Sequence, residues 1–163
     1  MTVTITSASV EHTDAIVILL EEMHRYYGAT EVEPSDVRTR QVRQALFTDP
    51  PAAYALLAWD GGQLVGIASY SFLWPAVGLT RSLYLKELFV SESRRRAGAG
   101  TSLMNALFDI TAKLGCSRIE WTTDQDNKAA QQFYEELNLS RLPTKLFYRV
   151  DGDLLPRSAG SWS

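Results

Sequence analysis

The chain has 163 residues, of which 45% are hydrophobic and 21% charged, and its formal net charge is -3 with a pI near 5.4. This balance is typical of one globular domain, and the acidic total disfavours a general nucleic-acid binder. With one cysteine, no apolar run long enough for a membrane helix and no signal-peptide pattern, the sequence predicts a cytoplasmic protein without an internal disulfide or a membrane partner.

The first half of the chain predicts a strand, two helices and a hairpin. The alternation at 3–6 predicts a strand, and apolar residues at helical spacing predict a helix from Thr13 to Gly28. A second helix is predicted from Ser35 until Pro50-Pro51. Two apolar runs around a turn at 60–62 (Asp-Gly-Gly) predict the hairpin.

The second half alternates strands and helices. Strands are predicted at 81–90, 117–123 and 144–150, and helices at 101–115 and 127–137, the latter capped by Asp126 or Asn127. The element order indicates an α/β fold of the α+β type, with a mixed sheet and helices on both faces. We expect a single domain over residues 1–151 and a flexible tail at 152–163.

A glycine-rich stretch, "RRRAGAG" (94–100), joins a predicted strand to a predicted helix. Such a turn presents backbone N–H groups at a helix N-terminus, where the helix dipole favours anions. Glycine leaves the backbone accessible, and arginine suits phosphate oxygens. The Walker motif is incomplete because its Gly-Lys-Ser/Thr is missing, and the dinucleotide motif is incomplete because position 103 is leucine instead of glycine. The stretch alone predicts a pyrophosphate site, a plain helix start or a solvated basic patch.

Two segments together resemble motifs A and B of the GNAT acyltransferases. "LFVSESRRRAGAGTSLM" is similar to motif A through Val90, Arg95, Gly98 and Gly100. "NKAAQQFYEELNL" is similar to motif B through its Asn, Ala, Phe, Tyr and Leu at 127, 130, 133, 134 and 137. The segment "LYLKELFV" further resembles the spermidine/spermine acetyltransferase branch. The resemblance implies a central mixed sheet of about six or seven strands.

The resemblance also implies an N-acetyltransferase that uses acetyl-CoA, and it assigns residues to that co-substrate. The pantetheine arm is expected along the strand 88–90, where two parallel strands separate. The pyrophosphate is expected at the loop 95–101. The cofactor-binding residues implied are Leu88, Phe89, Val90, Arg95, Arg96, Ala97, Gly98, Ala99, Gly100, Thr101 and Asn127.

The reaction implied is direct attack of an amine on the thioester. An alkyl amine has a pKa of about 10.4, so it must lose a proton, and the departing thiolate must gain one. The motif implies Tyr134 as the acid, with core packing as the alternative. Glu87 is the candidate base, with a polar network or a chain of waters as alternatives. Lys86 replaces an acid of the related branch, so Glu87 faces away from the substrate if the missing acid was catalytic.

The acceptor expected is a small-molecule amine, and Lys86 disfavours a polyamine and favours an amine that carries a carboxylate. Candidates for its binding wall are Tyr26, Tyr27, Glu31, Glu33, Phe72 and Trp74. A protein lysine or N-terminal acetyltransferase and a non-catalytic acyl-CoA-binding module are the alternatives. Family members are commonly dimers, so the resemblance implies a homodimer. Two histidines and one cysteine predict no metal site.

Overall fold

The structure, a computed structural model, describes residues 2–155. Contacts group the chain into two compact units that divide between Asp124 and Gln125. We describe each unit by itself. The extent of the domain, 1–151, stays a prediction. Residues 152–154 of the predicted tail form a turn, and residues 156–163 lie outside the described residues.

The first unit is built on a five-stranded sheet with strand order β1-β2-β3-β4-β5. Neighbouring strands are antiparallel except β4 and β5, which are parallel, so the sheet is mixed as predicted. The strands are β1 (Val3–Ser7), β2 (Tyr54–Asp60), β3 (Gln63–Leu73), β4 (Ser82–Val90) and β5 (Arg118–Glu120).

Helices cover both faces of this sheet. The helices of the first unit are α1 (Thr13–Tyr26), α2 (Ser35–Leu46) and α3 (Ala99–Lys113). Ile67 on β3 packs in one core cluster with Ile16 and Leu19 of α1. The preceding residue, Gly66, lies against Leu103 of α3. Because consecutive strand residues point to opposite faces, α1 and α3 lie on opposite sides of the sheet.

In the part of the second unit that the structure describes, residues 125–155, the helix is α4 (Lys128–Glu136). The side-chain oxygen of Asn127 accepts a hydrogen bond from the Ala130 N–H at 3.1 Å, which confirms Asn127 as the helix cap. Asn138 follows the helix with φ 59°. Its left-handed conformation lets the Leu139 N–H donate to the Tyr134 carbonyl at 3.0 Å, which ends the helix.

The predicted strand at 144–150 is wrong, and the strand count is therefore lower than predicted. These residues form no strand and are exposed. A strand needs a hydrogen-bonded neighbour as well as suitable side chains, and within the described residues this segment pairs with none. The strand predicted at 117–123 is shorter as well, because β5 pairs with β4 at only three positions.

Candidate active site

The parallel pairing of β4 with β5 ends well before β4 itself does. Tyr84 and Glu120 form the last pair of the parallel ladder, whereas β4 continues to Val90. Within the described residues, positions 85–90 of β4 therefore have no ladder partner on β5. An extended ligand with amide groups can add to such a strand edge. The predicted pantetheine residues Leu88, Phe89 and Val90 lie on this segment.

The predicted pyrophosphate loop follows β4 directly and leads into α3. Two of its residues have positive φ, Arg96 at 68° and Gly98 at 88°. Gly98 occupies the N-cap position of α3. The Ser102 N–H donates to the Gly98 carbonyl at 2.9 Å and so begins the helical ladder in the described chain. The amides of residues 99–101 precede this bond, at the helix end that attracts anions.

The groups that this loop presents are compatible with a pyrophosphate. A Cβ placed on Gly98 meets nothing within 4 Å, so the backbone here borders open space. Arg95 and Arg96 are exposed beside it. The donors offered are backbone amides and guanidinium groups, which are the groups that bind phosphate oxygens. The structure thus brings Arg95, Arg96, Ala97, Gly98, Ala99, Gly100 and Thr101 into one loop and helix start.

Hydrogen bonds hold the start of this loop against its surroundings. Arg94 forms an ion pair with Asp60 at 2.8 Å. The Arg95 guanidinium lies 4.1 Å from the centre of the Tyr26 ring and donates to the Tyr26 hydroxyl at 2.8 Å. It also donates to the Val90 carbonyl at 3.3 Å. Two of the three arginines, Arg94 and Arg95, therefore make contacts within the protein. These contacts hold the segment that leads into α3.

Glu87 lies on the face of β4 that is turned toward α1. It is two residues from Phe89, and the pairing of both residues with β3 is regular. Phe89 packs in the cluster of α1, so Glu87 shares that face. The register shifts between Ser69 and Tyr70, which leaves Lys86 as the extra residue of a β-bulge. Glu87 therefore points toward the helix predicted to form the acceptor wall.

Burial raises the pKa of Glu87 above its ordinary 4.5, and the charge of Asp124 raises it further. Lys86 and His24 oppose this shift. The pKa of the Tyr27 hydroxyl is raised by burial and by the charge of Glu87. A carboxylate with a raised pKa is a stronger base than an exposed one.

The aromatic candidates fall into two groups. Tyr26 and Tyr27 lie 6.0 and 6.5 Å from Phe89 between ring centres, beside β4. Phe72 instead packs with Tyr54 and Tyr70 elsewhere on the sheet.

The other predicted wall residues lie on loops. The Trp74 indole N–H donates to the Leu79 carbonyl at 2.8 Å and closes the loop after β3. Glu31 and Glu33 are exposed between α1 and α2.

In the second unit, Tyr134 is half-buried on α4 beside Phe133, with 5.3 Å between the ring centres. Asn127 caps the same helix through its side chain. Their predicted catalytic and cofactor-binding roles stay predictions.

Sequence reasoning missed Asp124, which follows β5 and acts electrostatically on both Glu87 and Tyr27. Its position just after a predicted parallel strand was the available signal, because such strand ends commonly carry site residues. Glu22 was missed as well. Its Oε1 accepts hydrogen bonds from the Ser91 hydroxyl and the Glu92 N–H. No sequence pattern links residues 22 and 91.

Among residues 2–155, no group of three or more His, Cys, Asp or Glu side chains is placed to hold a metal ion. Over the same residues, every helix is too short or too polar to cross a membrane.

A model of the acetyltransferase (GNAT) family matches residues 17–139. The chain belongs to the GNAT acetyltransferase family. It is therefore an acyltransferase with acetyl-CoA as co-substrate. The match includes α1 from residue 17 onward, the strand edge at 85–90, the loop 91–98 and α4. The GNAT resemblance expected from the two motifs is thus confirmed.

Curated relatives include enzymes named for small amines. The chain is 29% identical over 130 residues to a D-amino-acid N-acetyltransferase of Saccharomyces cerevisiae, covering 78% of this chain and 74% of the relative. It is 30% identical over 82 residues to an L-ornithine N5-acetyltransferase of Arabidopsis thaliana, covering 50% of this chain and 36% of the relative. A thialysine N-epsilon-acetyltransferase of Mus musculus is 26% identical over 104 residues, with 62% and 61% covered.

Solved structures support the fold. An integron cassette protein from the mobile metagenome of V. cholerae superposes with a TM-score of 0.90 at 29% identity, over 98% of each chain. An aminoglycoside N-acetyltransferase solved with CoA superposes with a TM-score of 0.74 at 20% identity, over 91% of this chain and 95% of that one. At this lower identity the likeness concerns the fold alone.

Proposed function

We propose that this GNAT enzyme transfers the acetyl group of acetyl-CoA to the primary amine of a small molecule that carries a carboxylate. The observation that carries this proposal is the strand edge at 85–90, which leads through the loop 91–98 to the amides at the start of α3. The strand edge suits an amide-containing arm, and the helix start suits a pyrophosphate. Acetyl-CoA has both groups in this order.

The acid and base are assigned to two residues. The Glu87 carboxylate removes a proton from the ammonium of the acceptor, directly or through water, since its raised pKa favours taking up a proton. The amine nitrogen then forms a bond to the acetyl carbon while the carbon–sulfur bond breaks. The Tyr134 hydroxyl donates the proton that the leaving thiolate gains. The acylated nitrogen loses its second proton to water, and Tyr134 regains a proton from water, so the products are the neutral amide and the CoA thiol. A backbone N–H near Phe89 stabilises the oxyanion.

The acceptor class rests on charge and on relatives. Lys86 is exposed next to Glu87, and a lysine repels a polycation but attracts a carboxylate. Three relatives are named for D-amino acids, L-ornithine and thialysine. Each of those acceptors carries both an amine and a carboxylate.

Calorimetry with acetyl-CoA tests the site. Gly98→Glu puts a carboxylate against the pyrophosphate, and we expect acetyl-CoA affinity to fall by roughly 100-fold or more, because like charges repel at short range. Gly115→Glu is the matched control. Gly115 also has positive φ and open space around its Cβ position, and it follows the opposite end of α3. Equal acetyl-CoA affinities in the two variants would refute the assignment of the loop.

A turnover panel tests the acceptor class. We expect amino acids with a free amine to be acetylated faster than spermidine or a peptide with a free N-terminus, measured as CoA release. Spermidine as the best acceptor would overturn the carboxylate requirement. A peptide as the best acceptor would instead favour a protein acetyltransferase.

A further inference from the structure

Helix α1 contacts the segment that joins β4 to the pyrophosphate loop at two points. Glu22 and Tyr26 are four residues apart and so lie on one face of the helix. Glu22 contacts the start of the segment at Ser91 and Glu92. Tyr26 contacts its end at Arg95.

The contacts of Glu22 are specific. Its Oε1 accepts from the Ser91 hydroxyl at 2.8 Å and from the Glu92 N–H at 3.0 Å. Ser91 is buried, and its N–H donates to the Val65 carbonyl at 2.8 Å. Hydrogen bonds to an ionised carboxylate are stronger than those between neutral groups. One carboxylate oxygen therefore fixes both a buried side chain and the first amide of the turn.

The Glu22 contacts set the direction in which the chain leaves the sheet. The Arg94 N–H donates to the Ser91 carbonyl at 2.9 Å, which closes the short turn Glu92–Arg94. Arg96 and Gly98 then adopt positive φ before α3 begins. A change at Ser91 therefore moves the amides of residues 99–101 relative to the strand edge at 85–90. Small displacements of binding groups reduce affinity and rate strongly.

We propose that Glu22 is a positioning residue for acetyl-CoA: through Ser91 and Glu92, it holds the amides at the start of α3 in register with β4. This proposal rests on the proposed function of the loop. Glu22 itself acts only through the loop.

The test compares three variants by calorimetry with acetyl-CoA and by steady-state kinetics. Glu22→Ala removes both hydrogen bonds, and we expect acetyl-CoA Kd and KM to rise roughly tenfold, with a smaller change in the KM of the amine. Glu22→Gln keeps an oxygen that accepts both bonds, so we expect affinity within about threefold of wild type. A Glu22→Gln protein as defective as Glu22→Ala would overturn the proposal.

Glu21→Ala is the matched control. Glu21 is the adjacent carboxylate, and it contacts Arg25 at 3.0 Å and the buried Arg38 at 3.3 Å instead of the loop. We expect this variant to lose thermal stability because Arg38 loses an ion-pair partner, while its acetyl-CoA affinity stays at the wild-type level. If Glu21→Ala and Glu22→Ala lose acetyl-CoA affinity equally, the loss is due to general destabilisation of the protein. This result would overturn the proposal.

A measurement without acetyl-CoA separates the two proposals. Hydrogen exchange at the Glu92 amide should be faster in Glu22→Ala than in wild type, because this amide loses its acceptor. If wild type fails to bind acetyl-CoA, the proposed function fails, whatever the exchange rates. If wild type binds and a folded Glu22→Ala protein binds equally well, the positioning role alone is refuted.

Discussion

At the scale of single residues, Glu87 combines partial burial with a position on the face of β4 turned toward α1. Burial raises its pKa, and Asp124 adds to that effect. The pKa of the nearby Tyr27 hydroxyl is raised as well, by burial and by the charge of Glu87. The face of β4 that is turned toward α1 thus carries a carboxylate whose affinity for a proton is increased.

The raised pKa makes a prediction about stability. The folded protein holds the Glu87 proton more tightly than the unfolded chain, so ionisation of Glu87 costs stability as the pH rises from its ordinary pKa through its raised one. Glu87→Gln removes this cost. We expect a higher Tm than wild type at pH 7 and no gain at a pH below the ordinary value of 4.5, by scanning calorimetry.

The same substitution should reduce kcat by roughly 100-fold or more, because a general base contributes that much. Wild-type kcat/KM should fall as the pH drops through the raised pKa of Glu87. The variant should lack this acid limb of the pH–rate profile. Tyr134→Phe is the control, since it should slow turnover while keeping the limb. If Glu87→Gln keeps the acid limb unchanged, Glu87 is not the base, and water takes the proton of the acceptor instead.

At the scale of elements, β3 and α3 approach so closely that a side chain at position 66 would crowd its neighbours. A Cβ on Gly66 would lie 3.2 Å from Leu103 Cδ1, 3.3 Å from Ala58 Cβ and 3.3 Å from the Phe89 carbonyl oxygen. Leu103 is fully buried, and the carbonyl belongs to the backbone of β4. Neither neighbour can withdraw easily, so this contact fixes α3 against the strands that position the site.

Gly66→Ala should therefore destabilise the fold by about 1–3 kcal/mol, the usual cost of overpacking a dense core. Gly62→Ala is the matched control on the same strand-turn segment, since its Cβ position has nothing within 4 Å. We expect Gly62→Ala to change stability by less than about 1 kcal/mol. Urea unfolding measures both values, and equal stabilities would show that α3 is free to shift.

At the scale of the whole molecule, the segment 144–150 has the composition of a strand but no strand partner among the described residues. Leu146, Phe147 and Tyr148 are 79%, 62% and 85% exposed. Consecutive exposed apolar side chains of this size are typical of an interaction surface. A segment that lies outside any strand ladder also has backbone groups that can pair with the edge of another strand. These features are consistent with the homodimer that the family resemblance implies.

We predict that light scattering gives twice the 18.2 kDa mass of one chain. Replacing Phe147 and Tyr148 together by serine should shift the protein to the monomer, because apolar contact area is lost. Leu79→Ser is the control, since Leu79 is equally exposed, at 78%, in another loop. A wild-type protein that stays monomeric at high concentration would contradict the prediction.

The sequence by itself determined the family, the order of elements as far as α4 and the loop 94–100. These depend on local patterns: hydrophobic period, caps such as Asn127 and Asn138, and motif spacing, all of which are written along the chain. The prediction of a strand at 144–150 was wrong for a physical reason. Strand propensity describes single side chains, whereas a strand exists only when its backbone pairs with a neighbouring strand.

Only the tertiary structure decided which distant groups meet. The bulge at Lys86 and the pairing of Glu87 with Ser69 determine which face Glu87 occupies. The contact of Glu22 with Ser91 spans 69 positions of sequence, and that of Arg95 with Tyr26 spans as many. Such contacts depend on how α1 packs over the sheet. Packing is a property of all the core side chains together, so no local pattern encodes it.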